Sequence, residues 1–190
     1  MTSLFSNIEN ALLEVLSEKR LQHTLGVVES ATRLADIYNQ DMDEAKTAAL
    51  LHDYAKDLTH NQMSYFKRLY NIKMDEVIQS TPELQHGIVA ARIAEDKFRI
   101  TNKNVLNAIE YHTTGRIEMT KLEKIIYLAD FIEPNRDYKG VDELRKVAIE
   151  DLDKAVFMAL SNTIIYVVNI KKILHPNTLH ARNYMLKNIE

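Results

Sequence analysis

The chain has 190 residues, 46% of them apolar, enough to build the core of one domain. A formal net charge of -3 excludes the cationic excess that holds a nucleic-acid backbone, so nucleic acid is not an expected partner. Cysteine is absent, which excludes disulfides, thiolate metal sites and cysteine nucleophiles, and any metal must be held by nitrogen and oxygen.

The opening residues, Met1 to Asn10, lack a cationic start and carry an acid and two amides, so they do not read as a signal peptide and the chain is expected to be cytoplasmic. Beyond them apolar residues recur at three- and four-residue spacing, without sustained alternation, and only four glycines and three prolines occur. The expected fold is all-α, a single compact bundle of roughly eight to ten helices. In the helix around His23, residues Gln22, Gly26, Glu29, Arg33 and Asp36 gather on a polar face, and His23 lies in line with Val27 and Leu34 at the edge of the apolar arc. A lone histidine there is commonly a satisfied core residue.

His52-Asp53 follows the run Ala48-Ala49-Leu50-Leu51. About 0.4 such dipeptides are expected by chance in a chain of this composition, so the setting matters more than the pair. Burying an ionised carboxylate in a well-packed helix is expensive unless a cation or several hydrogen-bond donors compensate it. Adjacent helical side chains point about 100° apart, so the two residues reach one centre only where the helix ends or a partner helix meets it. Lys56 stands one turn after Asp53. His60 lies among polar neighbours and reads as surface.

Thr81 is the expected N-cap of a helix with Pro82 in its first position, and this helix carries His86 ahead of Gly87. His112 ends a run before Thr113-Thr114-Gly115-Arg116. Asp130 repeats the buried-acid anomaly, because Ile126 and Tyr127 lie one turn back, and Pro134 closes that helix. An arginine is the ordinary partner for one such acid. Four residues together, His23, His52, Asp53 and Asp130, form a donor set suited to a divalent transition metal. His86 and His112 would extend it to two metals, with Asp53 as the bridging carboxylate. The most apolar stretch, Val156 to Ile170, is interrupted by Ser161, Asn162, Thr163 and Asn169, which makes it too short for the roughly 18–20 residues of a membrane span and assigns it to a core helix. Asn177 is the expected N-cap of a last helix, and His175 and His180 read as surface or capping residues.

The order His23, His52-Asp53, Asp130 resembles the ligand pattern of the HD-domain superfamily of metal-dependent phosphohydrolases. The longer strings His23-Thr24-Leu25-Gly26-Val27, Leu50 to Lys56, Tyr111 to Arg116, Tyr127 to Pro134 with Arg136-Asp137, and His175-Pro176 with Ala181-Arg182-Asn183 are similar to the YqeK family within it, from about residue 18 to 185. That resemblance implies a single domain over residues 1–190, with an HD core at about 18–135 and C-terminal helices at about 142–189. It implies symmetrical cleavage of diadenosine tetraphosphate into two ADP, with iron as the metal, although the donor set also accepts Mn, Co, Ni or Zn. His23, His52, Asp53 and Asp130 would hold one metal, and His86 and His112, sharing Asp53, a second. Asp53 and Lys56 would be catalytic. Lys56, Thr113, Thr114, Gly115, Arg116, Arg136 and Arg182 would meet the phosphates.

Other readings stay open at this point: another HD-superfamily nucleotidase or phosphodiesterase, a non-catalytic purine nucleotide sensor, or a helical interaction domain whose histidines merely pack. A homodimer is among the partner states the sequence leaves open.

Overall fold

Short polar side chains mark where the helices begin. In the computed structural model, which describes residues 4–189, Ser17 caps α2 through the Arg20 N–H, Asp41 caps α3 through Glu44, and Thr120 and Glu123 close a reciprocal capping box on α8. The helices are α1 Leu4–Val15, α2 Glu18–Ile37, α3 Met42–Leu51, α4 His60–Leu69, α5 Glu76–Ser80, α6 Pro82–Lys97, α7 Lys103–Tyr111, α8 Lys121–Ile132, α9 Val141–Glu150, α10 Leu152–Asn169 and α11 Pro176–Asn188. Among the described residues there is no strand. The helix count, eleven among the described residues, exceeds the expected range because single capped breaks at Ser17 and Asp151 divide α1 from α2 and α9 from α10.

The bundle is organised around α8. Leu122, Ile125, Ile126, Tyr127, Leu128 and Ala129 are each no more than 1% exposed, as expected of a helix apolar on nearly all sides. α2, α3, α7, α9 and α10 all pack on it, with α6 laid on α7 and α11 on α10. Asp130 thereby lies at the C-terminal end of a helix packed against α2, α3 and α7, which carry His23 and end at His52 and His112.

Two expectations are corrected. The stretch Val156 to Ile170 is a core helix only in its first half: Val156, Ala159 and Leu160 are fully buried, whereas Ile165, Tyr166 and Val168 are 59%, 63% and 61% exposed. α8, α9 and α11 all pack on α10, and the buried residues of α10 end at Leu160. Gly26, assigned to a polar face, is buried against the segment after α8, where its missing side chain admits Glu133, Pro134 and Asn135.

A third correction concerns α11. Its N-cap is His175, not Asn177, because Pro176 takes the first helical position. The His175 Nδ1 accepts the Asn177 N–H at 3.1 Å, which leaves the proton on Nε2 to be donated to Asp75 Oδ2 at 2.9 Å. His175→Ala is therefore expected to cost about 0.5–2 kcal/mol in chemical denaturation, and His175→Asn, which restores a short capping side chain, to recover most of it. Equal losses in both variants would show that the cap contributes little.

Candidate metal centre

Helix ends deliver the candidate ligands. α3 stops at Leu51, and His52 is its C-cap; the chain then continues in single turns, with the Tyr54 N–H on Leu51 O and the Lys56 N–H on Asp53 O. This is the situation in which two adjacent side chains can reach one centre. His112 is likewise the C-cap of α7, and the partial negative charge at both helix termini favours a cation between them.

Three imidazoles are set by the same local bond. His52 Nδ1 lies 2.6 Å from Ala49 O, His86 Nδ1 2.9 Å from Glu83 O and His112 Nδ1 2.7 Å from Ile109 O, each reaching back three residues along its own chain. A carbonyl only accepts, so each Nδ1 carries the hydrogen and each Nε2 presents a lone pair. The Nε2 atoms of His86 and His112 face each other at 3.0 Å with no hydrogen assigned to either by this pattern. Those of His23 and His52 are buried without a hydrogen-bond partner, although His23 Nε2 lies 3.1 Å from Asp130 Oδ1. Converging lone pairs beside carboxylates repel one another unless a cation lies among them, and the donor set therefore fits a divalent metal.

Asp53, only 3% exposed, stands between the two groups of imidazoles. Its Oδ2 is 3.7 Å from His23 Nε2 and 3.5 Å from His52 Nε2, and its Oδ1 is 2.9 Å from His86 Nε2 and 3.6 Å from His112 Nε2. Ligand atoms of His23, His52 and Asp130 lie within 4.8 Å of one another, and so do those of His52, Asp53 and His112. All six candidate ligands are thus brought together.

The electrostatics of the cluster follow from burial opposed by charge. Burial pushes the Asp53 carboxyl up, but the neighbouring imidazoles, His52 foremost and then His112 and His86, hold it well below the usual carboxylate range. Burial acts likewise on Asp130 and is outweighed by His23 and by Arg136, so Asp130 stays ionised. Burial alone would depress His52, yet Asp53 and Asp130 raise it. The field that draws a proton there also draws a metal cation. His86, with burial dominant and His112 and Lys56 adding to it, is lowered to about 4. Burial also lowers Lys56, whose Nζ lies 3.4 Å from His86 Nδ1.

The expected phosphate-binding residues are distributed unevenly. Arg136 reaches the cluster, its Nη2 on Asp130 Oδ1 and its Nε on Asp130 O. Thr113, Thr114 and Gly115 follow His112 directly, and the buried Thr114 hydroxyl is turned on to Gly115 O. Arg116 is committed elsewhere: Nε and Nη2 grip the buried Glu123 at 2.5 and 2.8 Å, in the capping box of α8. Arg182 lies over the Phe157 ring at 4.7 Å and meets Ser161 and Asn183, and none of these contacts is with a cluster residue. His60 and His180 are exposed.

Sequence reasoning missed two site residues. Arg20 Nη1 donates to Asp53 Oδ2 at 2.7 Å, and Glu133 Oε1 lies 3.2 Å from His23 Nδ1, where a carboxylate orients a ligand imidazole and raises its basicity. Arg20 had a usable signal, since it precedes His23 by three positions and so shares its helix face. Glu133 lies 110 residues from His23 and had none. The two helix-packing glycines of the site are also spatial features. A Cβ on Gly26 would stand 2.5 Å from Glu133 Oε2, and one on Gly87 would stand 2.7 Å from Glu110 O and 3.1 Å from Ile109 O. Because those carbonyls are backbone and one of them holds His112, Gly87→Ala is expected to force α6 from α7, with a loss of about 1–3 kcal/mol. Thermal unfolding together with metal analysis checks this; unchanged metal content would mean that the helices yield without disturbing the site.

The HD domain model matches residues 20–135. Over 171 residues the chain is 40% identical to a symmetrical bis(5'-nucleosyl)-tetraphosphatase of Halalkalibacterium halodurans, covering 90% of this chain and 91% of that protein. It is 38% identical over 184 residues to the Bacillus subtilis protein of the same name, covering 95% and 98%. A crystal structure from Clostridium acetobutylicum, described as a predicted HD superfamily hydrolase involved in NAD metabolism, matches with a TM-score of 0.93 and 44% identity over 100% of both chains.

Proposed function

The chain belongs to the HD-domain family, and from that premise we propose that it hydrolyses dinucleoside polyphosphates, cleaving diadenosine tetraphosphate symmetrically into two ADP. The observation that carries the hydrolase reading is the turning of four imidazoles and two carboxylates on to one buried volume. His23, His52, Asp53 and Asp130 would hold one ion and His86, His112 and Asp53 a second. When bound, such cations supply the positive charge that makes a water nucleophilic near neutral pH. Iron is the metal proposed, on the resemblance to the YqeK family, and it is one of the metals that the nitrogen and oxygen donor set accepts.

The protein's own groups have separable tasks in this proposal. Asp53 presents one oxygen to each half of the cluster. The backbone carbonyls of Ala49, Glu83 and Ile109 hold three imidazoles in the ligating tautomer. Lys56, partly buried and less basic than a surface lysine, is placed beside His86 to donate positive charge or a proton to the leaving phosphate oxygen. Arg136 offers its remaining donors to the phosphate chain, and Thr113, Thr114 and the backbone at Gly115 are proposed as neutral donors. For Arg116 and Arg182 the same role would require leaving Glu123 and Phe157.

Chromatography of products from protein loaded with iron tests the reading. ADP as the sole nucleotide product is expected. Nucleoside with inorganic phosphate would favour another nucleotidase of the superfamily, and tight nucleotide binding without turnover a sensor. A cytoplasmic location belongs to the same proposal, supported by the nucleotide substrates of the relatives; among the described residues no helix is long and apolar enough to cross a membrane. A homodimer is proposed on the exposed end of α10, and sedimentation of an Ile165→Asp variant tests it.

A further inference from the structure

A helix leaves its last carbonyls without partners of its own, and a glycine commonly closes such an end. No glycine stands between Glu133 and Lys139, and the end of α8 is closed by side chains that come later in the chain. Arg136 Nε donates to Asp130 O, Tyr138 Oη to Phe131 O at 3.0 Å, and Arg145 Nε to Ile132 O at 3.1 Å. Two of the three are guanidinium groups, which suit the negative end of the helix dipole. Arg145 reaches further along the chain: its Nη2 donates to Glu133 O and to Arg136 O, each at 2.9 Å. Its Nη1 is held by Asp142 Oδ1 at 2.9 Å, so the fork is fixed on both edges.

The segment gripped in this way is a single turn, closed by the Arg136 N–H on Glu133 O at 2.9 Å, and both of its ends serve the cluster. Glu133 Oε1 lies 3.2 Å from His23 Nδ1, while Glu133 Oε2 accepts the Asn135 N–H at 2.7 Å, so the shape of the turn aims the carboxylate. Arg136 at the other end bonds Asp130. The grip comes from a well-anchored element, because Leu144 and Ala148 of α9 are fully buried. Resting on the metal-centre reading above, we infer that Arg145 is a positioning residue of the cluster: from a helix that supplies no ligand, it locks the turn from Glu133 to Arg136 so that Glu133 orients the His23 imidazole and Arg136 holds Asp130. Arg145 itself touches none of the six ligands; its bonds run to three main-chain oxygens and to Asp142. Support of this kind works by denying the ligands other orientations.

Manganese(II), which the donor set accepts, is the probe, titrated calorimetrically into metal-stripped protein. Wild-type protein is expected to bind it, and Arg145→Met to bind it about 10- to 100-fold more weakly, the range seen when support behind a ligand is lost. Arg145→Lys keeps the charge and the stem but not the fork, and an intermediate loss of about 3- to 10-fold is expected; it serves as the measurement if the methionine variant does not fold. Leu144→Ala opens a cavity on the buried face of α9 and removes no bond to the turn, so it is expected to lower the thermal midpoint and leave the affinity within about 2-fold of wild type. In the Glu133→Gln/Arg145→Met double variant the loss is expected to fall well short of the product of the single losses, since both act on one imidazole. Unchanged affinity in Arg145→Met, or in Arg145→Lys where that alone folds, overturns the inference. So does a loss in Leu144→Ala equal to that in Arg145→Met, or a double variant showing the full product. Wild-type protein that takes up no manganese would refute the metal-centre reading itself, a failure visible before any substitution is made.

Discussion

Asp53→Asn is expected to lower turnover of diadenosine tetraphosphate by about 10³-fold or more, and Asp53→Ala to abolish it. The carboxylate faces both groups of imidazoles, one oxygen toward each, so its charge serves every donor in the cluster. Several kcal/mol of transition-state stabilisation depend on metal charge held in register, and each 1.36 kcal/mol is tenfold in rate. Asparagine preserves shape and an oxygen for Arg20, so this variant separates charge from packing. Removing the carboxylate in Asp53→Ala also leaves the Arg20 guanidinium unpaired, and a further loss of stability is expected from that. Steady-state kinetics with metal analysis of both variants provides the check. An Asp53→Asn protein that retains its metal and most of its rate would remove the carboxylate from the mechanism.

Stripping the metal is expected to lower the unfolding midpoint by about 5–10 °C. A ligand bound only by the native state at 100 times its dissociation constant stabilises by about 2.7 kcal/mol. For a chain of this length each kcal/mol shifts the midpoint by about 2–4 °C. The structural cause is local: without a cation, the Nε2 atoms of His23 and His52 remain buried and unpartnered, and those of His86 and His112 oppose each other at 3.0 Å. Scanning calorimetry with and without chelator, followed by addition of iron or manganese, measures the shift. A midpoint unmoved by chelator and metal would mean that the histidines serve packing alone.

The amino-acid order alone determined a good deal here. Composition and spacing implied an all-helical fold, and the absence of cysteine restricted a metal to imidazole and carboxylate ligands. The start of α6 was legible at Thr81-Pro82 through the proline in its first position, since Thr81 stands at the N-cap without a side-chain capping bond, and the end of α8 was legible at Pro134. The position of His52-Asp53 at a helix end was legible only as a condition, and α3 meets it by stopping at Leu51. Local reading failed where a residue other than the customary one did the work, as at His175, and where tertiary packing decides burial, as at the end of α10.

What the tertiary structure alone decided is which charges neutralise which. Arg20 meets Asp53 across 33 residues and Glu133 meets His23 across 110, while Arg116, nominated for phosphate, is taken up by Glu123. Caps and periodicity are properties of neighbouring residues and survive in the bare sequence. The partner of a buried charge is set by which helices close within a few ångströms of it, and Gly26 and Gly87 permit two such approaches by having no side chain to keep the backbones apart.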